Sequence, residues 1–235
     1  MPLASQFAER LNITFRDLTI LEQAFIHRSY LNEHREIKLA HNERLEFLGD
    51  AVLELVVTDY LFAQYPDKDE GDLTSLRAAL VNAVTLSEVA STLGMNDYLL
   101  LSKGESKDTG RARQVILANT FEAVVGAIYL DSGYEAARSF IAKHLFKKTE
   151  EIVSKNLWQD AKSFFQEKAQ EKLSLTPAYK VIRESGPDHN KRFTIGLYLN
   201  EELVATGEGH SKQEAEQAAA AIGLEVKKWQ GGVLQ

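Results

Sequence analysis

The chain has 235 residues, 44% of them hydrophobic and 26% charged, with a net charge of −7 and a pI near 5.5. That is enough chain for one large or two small globular domains. The absence of cysteine excludes disulfides, thiolate zinc sites and thiol nucleophiles, and the acidic balance excludes nucleic-acid binding by bulk positive charge.

The N-terminus, MPLASQFAERLNITF, lacks the basic start and apolar stretch of a signal peptide. No apolar run approaches the ~18 residues of a membrane span, so a cytoplasmic protein with no membrane partner is expected. Apolar spacing predicts helix after helix through the first ~150 residues, most clearly at 41–64, 73–93, 114–130 and 134–153. Turn-rich pieces separate them, YPDKDEGD at 65–72 and SKGESKDTG at 102–110. There is no strand alternation here and no internal repeat.

After Ser154 the pattern changes. A first domain over 3–150, a linker over 151–158 and a second domain over 159–229 are expected, with Trp158 able to pack on either neighbour. A helix at about 161–173 precedes strand-like segments at 178–184, 191–199 and 202–208. In the second of these, Phe193, Ile195, Leu197 and Leu199 alternate with Thr194, Gly196, Tyr198 and Asn200, the period of a half-buried strand. A last helix begins with the capping box Ser211-Lys-Gln-Glu214 and runs to about Lys228. The fold class is a mostly α N-terminal domain followed by a small α+β domain of order α-β-β-β-α. Residues 159–229 hold ten Lys and Arg against eleven Asp and Glu, so phosphate contacts there require locally placed cations.

The segment HNERLEFLGDAVLELVV, 41–57, is the most informative. At ~100° per residue, Glu43, Glu46, Asp50 and Glu54 fall within an arc of about 80°. Leu53 and Val57 flank that arc on one side, Phe47 and Ala51 on the other, and Leu45, Leu48, Val52, Leu55 and Val56 fill the opposite face. A narrow file of carboxylates on so apolar a helix suffers like-charge repulsion and lost hydration. A divalent cation such as magnesium or manganese relieves both; so do pairing with Arg or plain exposure to solvent, and the pattern leaves these open.

In VILANTFEAVVGAIYL, 115–130, Glu122 is the only charge, and Asn119 lies one turn before it. A carboxylate in so apolar a helix needs a partner. The ordinary ones are Arg, Lys or a backbone cap; the functional one is a metal shared with Glu46 and Asp50 of the earlier helix.

HNERLEFLGDAVL resembles the signature segment of the ribonuclease III family. FIHRSY at 25–30, DEGDLTSLRAALV at 69–81 and ILANTFEAVVGAIYLD at 116–131 resemble that family's other motifs, in the same order and at similar spacing. The resemblance implies an all-helical endonuclease domain that hydrolyses double-stranded RNA with Mg2+, for which Mn2+ substitutes. It implies that Glu46 binds metal, that Asp50 is a catalytic carboxylate near the attacking water, and that Glu122 is a metal ligand required for activity. Asn119 matches a ligand that is often Asp; its amide oxygen can coordinate but brings no charge. Glu43 and Glu70 match residues implicated in metal handling or dimer contacts. A homodimer with one site per strand is implied, leaving 5′-phosphate and 3′-hydroxyl ends with short 3′ overhangs, in processing of rRNA precursors, mRNA and some tRNA. His27 and His41 are read as structural. The loop with Lys103, Lys107, Arg111 and Arg113 is read equally as a phosphate contact or a solvated loop.

DAKSFFQEKAQE at 160–171, GPDH at 186–189 and GEGHSKQEAEQAAA at 207–220 resemble a double-stranded RNA-binding domain. A-form RNA is recognised by shape, through minor-groove hydroxyls and phosphates. The resemblance offers Gln166 and Glu167 to one minor groove, His189 to the next, and Ser211 and Lys212 at a helix start to phosphates. The family usually has a run of Lys and Arg where this chain has Lys212-Gln213; Lys191 and Arg192 compensate from the strand start. The alternative is a catalytically impaired RNA-binding or ribosome-associated factor, a reading favoured by Asn119 and Gln213 and opposed by Glu46, Asp50 and Glu122.

Overall fold

Two units divide the chain, Met1–Trp158 and Gln159–Gln235, in a computed structural model that describes residues 2–154, 158, 160–187 and 191–229. The first is helical: α1 (Pro2–Leu11), α2 (Leu18–Ala24), α3 (Arg28–Glu33), α4 (Glu43–Gln64), α5 (Glu70–Val81), α6 (Ala83–Thr92), α7 (Arg111–Ser132), α8 (Tyr134–His144) and α9 (Lys147–Ser154). Its core runs from Phe7 and Leu21 through Leu53 and Val57 to Phe121 and Val124.

Helix α7 is long and apolar enough to cross a membrane, but two-thirds of its most apolar window is buried inside the protein. It is the core helix of this unit, and α4 crosses it at a pair of glycines. A Cβ on Gly49 would stand 1.8 Å from the Glu122 carbonyl oxygen, and one on Gly126 would stand 2.3 Å from that of Leu45. Only glycine at both positions lets the two backbones approach so closely.

The helix expected over 73–93 is in fact two. Asn82 is extended, with φ −72° and ψ 160°, and caps α6: its Oδ1 accepts from the Thr85 N–H at 2.9 Å, while its Nδ2 donates to the Ala79 carbonyl at 3.0 Å. An Asn that serves both chain ends makes a break stable that apolar spacing alone does not reveal. The stretch expected over 134–153 likewise divides into α8 and α9, with Leu145 buried and Phe146 stacked on Tyr60 between them.

Of residues 151–158, 151–154 complete α9, while Trp158 is only 8% exposed and joins the first unit's core, with Lys68 Nζ 4.2 Å from its ring centroid.

The second unit is α10 (Ala161–Leu173), β1 (Ala178–Ser185), β2 (Arg192–Leu199), β3 (Glu202–Gly209) and α11 (Lys212–Lys227). The antiparallel sheet has order β1-β2-β3, and Ile195, Leu197 and Leu199 point inward as the alternation predicts. Phe165, Ala169, Leu197, Ala219 and Leu224 form its core. Gly207 makes room for α11, since a Cβ there would lie 2.1 Å from the Ala219 nitrogen.

Candidate metal centre and nucleic-acid interface

The glycine crossing fixes where Glu122 sits, because the Gly49 backbone rests on the Glu122 peptide itself. The side chains on either side of Gly49 in the α4 spiral, Glu46 and Asp50, therefore face Glu122. All three feel one another. Burial, then Asp50 and then Glu46, pushes the Glu122 carboxyl up to about 8. Burial and the charge of Glu43 also raise Glu46, with Asp50 adding to the rise and a hydrogen bond from Asn119 opposing it. Asn119 and Glu122 are half-buried, and Asp50 is exposed.

Cations neutralise only the ends of the acidic file. Glu43 pairs with Arg28, and Glu54 lies 3.9 Å from Arg77. Among the described residues no Lys, Arg or His pairs with Glu46, Asp50 or Glu122. The Arg pairing that the sequence left open thus holds for the outer two carboxylates and not for the inner two.

The donor set suits a hard divalent cation: carboxylate oxygens, one amide side chain and an open, solvent-facing side at Asp50. Among the described residues, no group of three or more His, Cys, Asp or Glu side chains is drawn close enough to hold a metal ion by itself. An open set is what magnesium accepts, since it keeps several waters and uses one or two carboxylates plus substrate phosphate.

Glu70 lies elsewhere in this chain, in the first turn of α5, accepting from Thr74 Oγ1 at 3.3 Å and lining a groove with Phe62, Leu73 and Arg77. His27 caps α3 through Ser29, whose hydroxyl also receives the Ser102 N–H at 3.1 Å. The His41 backbone carbonyl accepts from Gln23 Nε2 at 3.1 Å. Arg113 is engaged by Asn96 and the Glu105 carbonyl, whereas Lys103, Lys107 and Arg111 are exposed.

Helix α4 also carries an exposed apolar stripe. Phe47 is 81% exposed, Leu55 58% and Phe62 73%, with Ala51 bare between them. Of the apolar face that the sequence places opposite the carboxylates, Leu45, Val52 and Val56 are buried, while Leu55 faces solvent.

In the second unit, Gln166 and Glu167 are exposed on α10. His189 lies outside the described residues. The predicted capping box forms: Ser211 Oγ accepts from the Glu214 N–H at 3.1 Å, and Glu214 accepts from the His210 N–H at 2.7 Å. Lys191 and Lys212 meet at one end of the sheet, both against Glu184, at 3.0 and 3.6 Å.

Three features escaped sequence reasoning. Gly49 and Gly126 were legible in principle, since a mid-helix glycine is disfavoured by ~1 kcal/mol and points to close packing. Arg28 and Arg77, as the partners of Glu43 and Glu54, depend on the tertiary fold and left no local signal. Glu184 stands two residues before the GPDH turn and carries no motif of its own.

The family described as Ribonuclease-III-like matches residues 17–149, and the Double-stranded RNA binding motif matches residues 161–227. Ribonuclease 3 of Anoxybacillus flavithermus is 47% identical over 228 residues, covering 97% of this chain and 95% of that protein. Ribonuclease 3 of Enterococcus faecalis is 45% identical over 222 residues, covering 94% and 96%. A solved nuclease domain of ribonuclease III from Campylobacter jejuni matches with a TM-score of 0.55 at 39% identity, covering 60% of this chain and 95% of that one. Fold, acidic centre and matches together define an endoribonuclease with an appended double-stranded RNA-binding unit. The chain belongs to the ribonuclease III family.

Proposed function

We propose that this chain cleaves double-stranded RNA with Mg2+, or with Mn2+ in its place, using Glu46, Asp50, Asn119 and Glu122 as the ligand set. The observation that carries this reading is the glycine crossing that sets the helix of Glu46 and Asp50 against that of Glu122, with no cation paired to these three carboxylates among the described residues. A divalent ion supplies Lewis acidity, making water nucleophilic near neutral pH and offsetting charge on the leaving oxygen. Glu122 holds a proton near neutral pH when no ion is bound and gives it up on binding one. Asp50, at the solvent-facing side, takes the proton of the attacking water. Glu43, held by Arg28, supports the start of α4; Glu70 belongs to the groove beside the apolar stripe.

In this reading residues 3–150 carry catalysis and 159–229 carry duplex binding through Gln166, Glu167, His189, Lys191, Ser211 and Lys212. Two copies pair through the exposed stripe Phe47, Leu55 and Phe62, since a two-fold pairing buries the same patch on both partners. The Campylobacter jejuni nuclease domain is described as having a region involved in dimer formation, which supports this. One centre per strand then yields 5′-phosphate and 3′-hydroxyl ends with short 3′ overhangs. The expected substrates are precursors of rRNA and other structured RNAs in the cytoplasm.

The test is cleavage of an end-labelled perfect RNA duplex in Mg2+, in Mn2+ and in chelator, for the wild type and Glu122→Gln. Metal-dependent cutting to overhanging products, lost in Glu122→Gln with duplex binding retained, is expected. Tight binding without cutting in either metal would establish the impaired-nuclease alternative instead.

A further inference from the structure

A second charge arrangement stands at one end of the sheet in the RNA-binding unit. Glu184, near the end of β1, lies opposite Phe193 of β2, and Phe193 lies opposite Gly209 at the end of β3. Gly209 admits the first turn of α11, since a Cβ there would come within 2.6 Å of the Ala215 nitrogen. Lys212, in that first turn, is thereby brought over the same end as Lys191. Lys191 Nζ lies 3.0 Å from Glu184 Oε2, and Lys212 Nζ lies 3.6 Å from Glu184 Oε1. Each ammonium also stands 5.7 Å from the centroid of the Phe193 ring. One carboxylate thus offers one oxygen to each lysine, as a bridging phosphate does. The hydrogen bond from Lys191 and the charges of both lysines hold the Glu184 carboxyl below the usual range, so it is ionised at neutral pH.

Resting on the RNA-binding reading above, we propose that Glu184 is an internal phosphate surrogate that attenuates duplex binding. It occupies Lys191 and Lys212 in the free protein and is displaced from them by the RNA backbone. Exposed ion pairs are weak, so the carboxylate does not block the site. It lowers the charge of this three-residue group from two to one, and with it the number of counterions that binding releases. An acidic domain with few cations at its contact surface is thereby tuned to duplexes that engage its other contacts at the same time, rather than to any single phosphate.

The experiment uses the full chain in chelator, so that no cleavage occurs, with a fluorescently labelled perfect RNA duplex titrated at several salt concentrations. Glu184→Gln is expected to bind about three- to tenfold more tightly at low salt, with the slope of log K against log salt steeper by about 0.9. Glu202→Gln makes the same change in net charge at the other end of β2 and β3, where Glu202 pairs with Lys227; it is expected to leave both quantities unchanged. Lys212→Ala and Lys191→Ala are expected to weaken binding. Lysine variants that weaken binding, combined with a Glu184→Gln variant that binds no more tightly than wild type, overturn the surrogate role alone. If neither lysine variant matters, the assignment of this end of the sheet to RNA fails, and the proposal fails with it.

Discussion

Gly49 and Glu122 meet backbone to backbone: a methyl group on Gly49 would stand 1.8 Å from the Glu122 carbonyl oxygen. This single approach sets the distance between the helix bearing Glu46 and Asp50 and the helix bearing Glu122. Gly49→Ala must therefore push α4 and α7 apart at the proposed metal ligands. The expected outcome is a folded protein destabilised by about 1–3 kcal/mol, as for other overpacked cores, and slowed about 100-fold in duplex cleavage. Gly104→Ala, in a loop where the new Cβ would be 3.8 Å from Ser102 Oγ, serves as the neutral control. Steady-state cleavage and thermal unfolding of both variants decide it. Wild-type cleavage by Gly49→Ala would show that the crossing does not position the centre.

The same pair shows what the sequence could and could not reveal. The carboxylate file and the lone Glu122 were legible because charge is conspicuous on apolar helices. Their convergence was legible as one of several ways to satisfy a lone buried carboxylate, and the resemblance singled it out, since nothing in either helix alone specifies the partner helix. Helix existence followed from periodicity, but the breaks at Asn82 and after His144 did not, because they are made by a capping side chain and by packing of Phe146 on Tyr60. The strands of the second unit were legible to within about a residue, because inward Ile195, Leu197 and Leu199 fix the register. The pairing of Lys191 and Lys212 with one carboxylate joins three separate elements and had no local signature.

Protonation of Glu122 predicts an unusual pH dependence in the metal-free protein. A carboxyl raised to about 8 from an ordinary value of 4.5 is more protonated in the folded than in the unfolded chain. Its contribution to stability is complete below pH 4.5 and is lost as pH rises through 8. His144 acts in the opposite sense: burial, with Lys143 and Lys147 nearby, lowers it from 6.5 to about 4, so its contribution is present above 6.5 and lost as pH falls toward 4. The window from pH 6.5 to 8 therefore isolates Glu122. In chelator, the wild type is expected to lose melting temperature across that window, by an amount on the order of 5 °C. Glu122→Gln should stay flat. Added Mg2+ should restore the wild type, and most strongly at the alkaline end, because binding displaces the proton. Parallel melting curves for the two proteins in chelator would contradict the assignment.

The stripe of Phe47, Leu55 and Phe62 predicts assembly. Isolated exposed apolar residues are ordinary, but three large ones along one helix face are the kind of surface that marks a protein interface. The double substitution Leu55→Asp with Phe62→Asp leaves the proposed metal ligands untouched and places two charges in that patch. Sedimentation at micromolar concentration is expected to give a dimer for the wild type and a monomer for the variant. The variant should still bind duplex through its second unit, and its cleavage should fall at least tenfold, since burying an unpaired charge at an interface costs several kcal/mol. A dimeric variant would assign the contact to another face.

Asn119 predicts how this centre is tuned. It contributes an amide where a carboxylate would add a fourth negative charge, and its hydrogen bond lowers the proton affinity of Glu46. Asn119→Asp should have two opposed effects. Extra ligand charge strengthens cation binding; at the same time, a fourth carboxylate raises the proton affinity of its neighbours, so protons compete harder for the same oxygens. At pH 8.5 the first effect wins, and the Mg2+ concentration for half-maximal cleavage should fall about three- to tenfold. At pH 6 the second effect gains, because Glu46 and Glu122 already lie above the ordinary carboxylate range, and the advantage should vanish or reverse. Mg2+ titrations of cleavage at the two pH values separate these outcomes. An Asn119→Asp enzyme whose metal requirement matches wild type at both would remove Asn119 from the ligand set. The crossover, by contrast, is specific to a residue that shares both metal and protons with Glu46, which a side chain acting only through packing would not do.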